Sequence, residues 1–179
     1  MNKVAFIFPG QGAQTVGMGK DFYDNTETAR RIFDRASELL GFSMPELCFE
    51  SNDRLDITEY TQAAMVTVGI AMMKVLMEKT DIRPSVAAGL SLGEYCALAA
   101  AEIMSADDAI TTVRQRGILM QGEVPVGIGA MAAVLAMDAE RIEQVIEDIS
   151  DVQIANYNCP GQIVISGKKE AVELAADKL

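Results

Sequence analysis

The stretch GLSLGEY, Gly89 to Tyr95, contains a Gly-x-Ser-x-Gly core in which Ser91 has the setting of a nucleophile. In such a motif the serine sits in a sharp turn between a strand and a helix, and the flanking glycines let the two backbones pass close together. The N–H of the next residue, Leu92, then faces the space above the hydroxyl, and the helix N-terminus adds partial positive charge where an oxyanion would form. A serine that merely caps a helix would explain the hydroxyl but not glycines on both sides. The hydroxyl is protonated at neutral pH and needs an adjacent base, yet the sequence contains no histidine. Glu94 is expected in the first helical turn, where its carboxylate complements the positive helix end instead of serving Ser91.

The elements that must position this serine are legible as patterns. A strand at Val4–Phe8 runs into the Gly-rich loop PGQG, and a helix follows through TARRIFDRASELL, with Thr26 or Thr28 as cap and Gly41 as stop. A long apolar helix is expected from about Thr61, with so little polar face that it must be buried, and its methionines read as adaptable core. RPSVAAGLS is a short strand into the Ser91 turn, the Ala-rich stretch after it is helical, and Ser105 caps a further helix with Asp107 and Asp108 in its first turn. After Gln121 the texture changes to strand, helix, two strands around CPG, and the start of another helix. This β-α-β-β-α order is that of a ferredoxin-like subdomain without its last strand. The expected fold class is therefore α/β: a hydrolase-like core with a parallel sheet over residues 1–122 and a ferredoxin-like small subdomain over 123–179, both incomplete in this chain.

With 26 acidic against 15 basic residues and a net charge of -11, the chain repels phosphate backbones and anionic lipid, so neither nucleic acid nor a membrane surface is expected as partner. An anionic ligand must then be met by a local basic site. No run looks long enough to span a membrane and the N-terminal apolar stretch is too short for a signal, so a cytoplasmic location is expected. Cys48, Cys96 and Cys159 are odd in number and widely spaced, which fits small buried residues and neither zinc nor a disulfide framework.

FPGQGAQ, TQAA, GLSLGEY, RQRGILMQ, GIGAMAAVLAM and NYNCPGQIVISG occur in an order and spacing that resemble malonyl-CoA:acyl-carrier-protein transacylases. The resemblance covers the whole chain, while those enzymes are longer and carry their catalytic histidine in the part that has no counterpart here. It implies Ser91 as nucleophile, forming an acyl-serine ester before the acyl group passes to the phosphopantetheine thiol of acyl carrier protein. It also implies oxyanion donors from the N–H groups of Gln11 and Leu92, and Arg116 as partner of the malonyl carboxylate. Gln62 is implied as a site glutamine, in a loop set differently because alanine stands where the family commonly has proline. Asn156 and Asn158 match asparagines beside the cleft, although turn chemistry explains them nearly as well. Leu90 replaces a common histidine, a change expected to matter for packing. Arg114 reads as a solvated helix arginine.

No metal or cofactor is implied, malonyl-CoA being a substrate. The chain alone is expected to be inactive because the base is absent, with a C-terminal half as a candidate partner. Two other readings stay open: a serine esterase or lipase of the α/β-hydrolase type, and a non-catalytic carrier-protein-binding chain or half of a split enzyme. Arg116 and FPGQG weigh against the esterase.

Overall fold

The computed structural model describes residues 3–125 and 127–179, which gather into two compact units, Met1–Gly122 and Glu123–Leu179. In the first, β1 (Ala5–Phe8) pairs in parallel with β2 (Val86–Gly89), Phe8 standing opposite Gly89. Between them run α1 (Lys20–Asn25), α2 (Glu27–Leu40), α3 (Met44–Phe49) and α4 (Thr58–Lys79). After β2 come α5 (Gly93–Ala100) and α6 (Ala106–Glu123).

Local chemistry explains the helix limits. Thr26 Oγ1 accepts from the Ala29 N–H at 3.3 Å to start α2, and Gly41 ends it in the left-handed region at φ 73°. Ser105 Oγ accepts from the Asp108 N–H at 3.0 Å to start α6. The six-residue helices α1 and α3 have no counterpart in the sequence reading, because six residues are too few to display a helical period. Ser43 nonetheless caps α3, accepting from the Glu46 N–H at 3.2 Å.

α4 starts at Thr58, before the expected Thr61, and is buried on nearly every side. Contrary to expectation, its length and composition alone would let it cross a membrane; 67% of its most apolar stretch is instead buried within the fold. Met65 and Met73 join that core, whereas Met72 is 41% exposed, so the methionines of α4 are not all interior. The helices cover one face of the two-stranded sheet. Phe6 and Phe8 point into them, while Ile7 and Val86 stand on the open face.

In the second unit β5 (Gln162–Lys168) lies between β3 (Gly129–Leu135) and β4 (Val152–Cys159), antiparallel to both, so β3 and β4 run parallel to each other. α7 (Ala139–Ile146) and α8 (Lys169–Lys178) cover one face of this sheet, with Ile142, Ile163, Ile165, Val172 and Ala175 as its core. The described parts of the chain are thus α/β, with parallel pairing confined to the first unit.

Cys48 and Cys96 are buried as expected, but Cys159 is exposed at the end of β4, which corrects its assignment to the interior. Burial pushes the Cys48 and Cys96 thiols up to about 12, so the folded state keeps both neutral. That contribution to stability is complete below the ordinary thiol range of about 8.5 and is lost as pH climbs through the raised values. At neutral pH a thiol reagent is expected to label Cys159 and to reach Cys48 and Cys96 only after denaturation. Peptide mass mapping checks this, and labelling of Cys48 in the folded protein would contradict its burial.

Candidate active site

Ser91 has φ 53°, the left-handed region that costs a non-glycine residue about 1 kcal/mol. The glycines on either side show why the turn must be so tight. A Cβ on Gly89 would lie 2.0 Å from the Gly93 carbonyl carbon, and one on Gly93 would lie 2.6 Å from the Phe8 oxygen and 2.7 Å from that of Pro9. Three backbone segments, the end of β1, the end of β2 and the start of α5, meet at distances that no side chain permits. The carbonyls of Leu90, Ser91 and Leu92 accept from the N–H groups of Gly93, Glu94 and Tyr95 at 2.9, 3.1 and 3.2 Å. The Leu92 N–H has no partner among the described residues, while its side chain is buried. Leu90 packs over Gly10, whose added Cβ would come within 3.0 Å of Leu90 Cγ.

Around this turn the structure gathers residues far apart in sequence. Arg116, half-buried on α6, donates from Nη2 to Ser91 Oγ at 2.9 Å and from Nη1 to Gln62 Oε1 at 2.6 Å. No carboxylate pairs with Arg116 among the described residues. Gln62 is 1% exposed and sits within α4, which corrects its assignment to a loop. Its Nε2 donates to Met120 Sδ at 3.2 Å and to Gln11 Oε1 at 3.5 Å. Gln11 in turn donates from Nε2 to Thr58 Oγ1 at 3.0 Å. The loop after β1 is tied a second time, Gln14 donating to Asp56 Oδ1 at 2.9 Å and accepting from the Gly12 N–H at 2.8 Å.

Ser91, Arg116, Gln62 and Gln11 are therefore in one hydrogen-bonded chain. Thr58, Gln14, Asp56 and Met120 support it and were not singled out from the sequence, although Gln14 and Met120 stand inside the stretches FPGQGAQ and RQRGILMQ. Arg114 also departs from its reading as a solvated arginine. It pairs with Glu59 at 2.8 Å, its side chain only 15% exposed, and its guanidinium lies 4.5 Å from the Tyr60 ring centroid. Asn156 and Asn158 lie on β4 of the second unit, where Asn158 Nδ2 donates to Gln162 Oε1 at 3.2 Å. They are described within that unit alone.

Among the described residues no group of three His, Cys, Asp or Glu is placed to hold a metal ion. A groove of about 600 Å³ lies elsewhere, between β1 and α4, lined mainly by apolar side chains such as Phe8, Met65, Val68 and Leu76. The chemically equipped place is the Ser91 turn, which among the described residues combines a hydroxyl, an unbonded N–H beside it and a guanidinium free of any carboxylate.

The acyl transferase domain family matches residues 5–179. The chain belongs to that family. It is 48% identical over 182 residues to the malonyl CoA-acyl carrier protein transacylase of Bacillus subtilis, covering 99% of this chain and 57% of that protein. The crystal structure of the malonyl CoA-acyl carrier protein transacylase of Clostridium perfringens superposes with a TM-score of 0.85 at 45% identity, covering 99% of this chain and 57% of that one. A malonyl-transacylase solved in complex with its type II PKS acyl-carrier protein superposes with a TM-score of 0.89 at 39% identity, over 98% of this chain and 58% of the other. The chain thus spans between half and two thirds of the length of these relatives.

Two variants test this geometry through stability. Gly93→Ala forces a Cβ onto two backbone oxygens and is expected to destabilise the first unit by about 2 kcal/mol, while Gly122→Ala, with nothing within 4 Å of its added Cβ, should cost nothing. Gln62→Leu removes the Arg116 acceptor and should cost about 1–3 kcal/mol. Urea unfolding curves measure all three, and equal midpoints for Gly93→Ala and Gly122→Ala would refute the close approach.

Proposed function

We propose that this chain supplies the nucleophile and the carboxylate clamp of a malonyltransferase, an enzyme that moves malonyl from malonyl-CoA to the phosphopantetheine thiol of an acyl carrier protein. One observation carries the reading. Arg116 touches Ser91 at 2.9 Å, is backed by buried Gln62 at 2.6 Å, and has no carboxylate partner among the described residues. The free carboxylate of a malonyl group is one methylene away from its thioester carbonyl. A guanidinium in hydrogen-bond reach of Oγ can therefore hold that carboxylate bidentately while the carbonyl carbon meets the hydroxyl. The names of the relatives support substrate and partner alike.

In the proposed sequence Ser91 Oγ attacks the thioester carbon and its proton passes to a base outside these 179 residues, which contain no histidine. The N–H groups of Leu92 and Gln11 stabilise the oxyanion. Collapse breaks the C–S bond, CoA leaves as a thiol with the proton returned by the base, and malonyl remains as an ester on Ser91. The carrier thiol then gives its proton to the same base, attacks the ester and regenerates the serine hydroxyl.

The two units fit the same reading. The first is proposed as the N-terminal part of a hydrolase-like core, residues 1–122. The second is proposed as a ferredoxin-like subdomain, residues 123–179, supported by the strand order β3-β5-β4 with both helices on one face. A serine esterase leaves Arg116 without a purpose, so it explains less of the site.

The test uses the natural full-length product containing this sequence. Arg116→Ala is expected to lower malonyl transfer about a hundredfold (~2.8 kcal/mol) relative to acetyl transfer, as loss of a charge-assisted bidentate contact should. Equal losses for the two acyl groups would remove the carboxylate role.

A further inference from the structure

We infer that Glu59 and Arg114 form a positioning pair that sets Arg116 at the nucleophile and so governs preference for a carboxylate-bearing acyl group. The inference rests on the proposed role of Arg116 as carboxylate clamp. On a helix, residues 114, 117 and 121 share one stripe, and 116 and 120 share the adjacent one. The first stripe meets the opening turn of α4: Arg114 Nη2 pairs with Glu59 Oε2 at 2.8 Å, Arg114 Nη1 donates to the Glu59 carbonyl at 2.6 Å, and Gln121 Oε1 accepts from the Thr58 N–H at 3.2 Å. The second stripe meets Gln62, through Arg116 at 2.6 Å and Met120 at 3.2 Å.

Between these contacts the backbones nearly touch, since a Cβ on Gly117 would lie 2.8 Å from Glu59 Cα. The Arg114 guanidinium is further fixed by two rings, with centroids 4.5 Å away at Tyr60 and 5.5 Å away at Phe42, which themselves pack edge to face at 5.4 Å. An ion pair with side chains 15% and 27% exposed is far less screened than a surface pair. Its two bonds to one residue fix both distance and rotation of α6 against α4. Arg116 extends from the same helix two residues later and depends on that register to reach Gln62 and Ser91 together. A shift of about 1 Å in such a contact can cost on the order of a hundredfold.

The pair is tested in the natural full-length product with Glu59→Gln and Arg114→Lys. Glu59→Gln is expected to reduce the ratio of malonyl to acetyl transfer about tenfold, with acetyl transfer within about twofold of the parent. Arg114→Lys keeps the charge opposite Glu59 but not the second bond, and should lower the ratio less than Glu59→Gln does. A second readout needs no turnover: a dicarbonyl reagent modifies Arg116, and malonyl-CoA should protect it in the parent but need about tenfold more ligand in Glu59→Gln. A thermal melt monitored by circular dichroism confirms that each variant is folded. Equal protection and an unchanged ratio in folded Glu59→Gln would overturn the inference, as would a parallel fall in malonyl and acetyl transfer, the mark of a merely structural pair. Failure of malonyl-CoA to protect Arg116 even in the parent would overturn the clamp itself, and the positioning role with it.

Discussion

The first unit depends on a meeting of three backbones. Where β1 ends, β2 ends and α5 begins, Gly93 lies so close to the carbonyls of Phe8 and Pro9, and Gly89 so close to Gly93, that only hydrogen fits on either Cα. This contact puts the N-terminus of α5 at the carboxyl end of a parallel pair, the place where open α/β sheets present ligands. It also turns the loop after β1 toward α4, which brings Gln11 within reach of Thr58 and Gln62. The hydrogen-bonded chain from Thr58 through Gln11, Gln62 and Arg116 to Ser91 can form only because that meeting fixes its two ends.

A second feature is the division of labour between two arginines of one helix. Both are half-buried in an acidic chain, yet one is consumed by structure and the other left available. Glu59, Tyr60 and Phe42 satisfy Arg114 with charge and aromatic faces. Among the described residues Arg116 is met only by neutral groups, the carboxamide of Gln62 and the hydroxyl of Ser91. A neutral acceptor orients a guanidinium without cancelling its charge. Had a carboxylate stood at position 62, the site would be more tightly paired and useless to an anion.

What the sequence disclosed follows from the range of the interactions. The Ser91 turn was legible because the constraint on it is local: glycines two residues to either side record a backbone contact that nothing else satisfies. Thr26, Gly41 and Ser105 were legible for the same reason, each acting within one helical turn of itself. Gln62 was misplaced in a loop because α4 begins at Thr58 behind Ile57, which makes no side-chain cap hydrogen bond, so no local capping signal marks where the helix starts. Arg114 was misread because its partners lie far away in the chain, Glu59 being 55 residues distant, and an arginine close to another arginine carries no mark of which is paired. Thr58, Asp56 and Met120 were invisible as site residues for the same reason. The short helices α1 and α3 were missed because six residues are too few to show a period, and their packing rests on neighbours, among them the edge-to-face rings of Tyr23, Phe33 and Phe49.

The left-handed backbone at Ser91 has a consequence of another kind. Glycine or asparagine would adopt φ 53° with less strain, so a chain selected for stability alone would carry one of them at position 91. The turn spends part of a narrow margin of folding free energy on holding up an oxygen atom. Glu102, Ala136 and Asp151 adopt similar angles, so the angle alone does not mark chemistry; at position 91 it is the proposed acyl transfer that would give the strain a use, and variants drifting toward greater robustness are expected to lose the hydroxyl there.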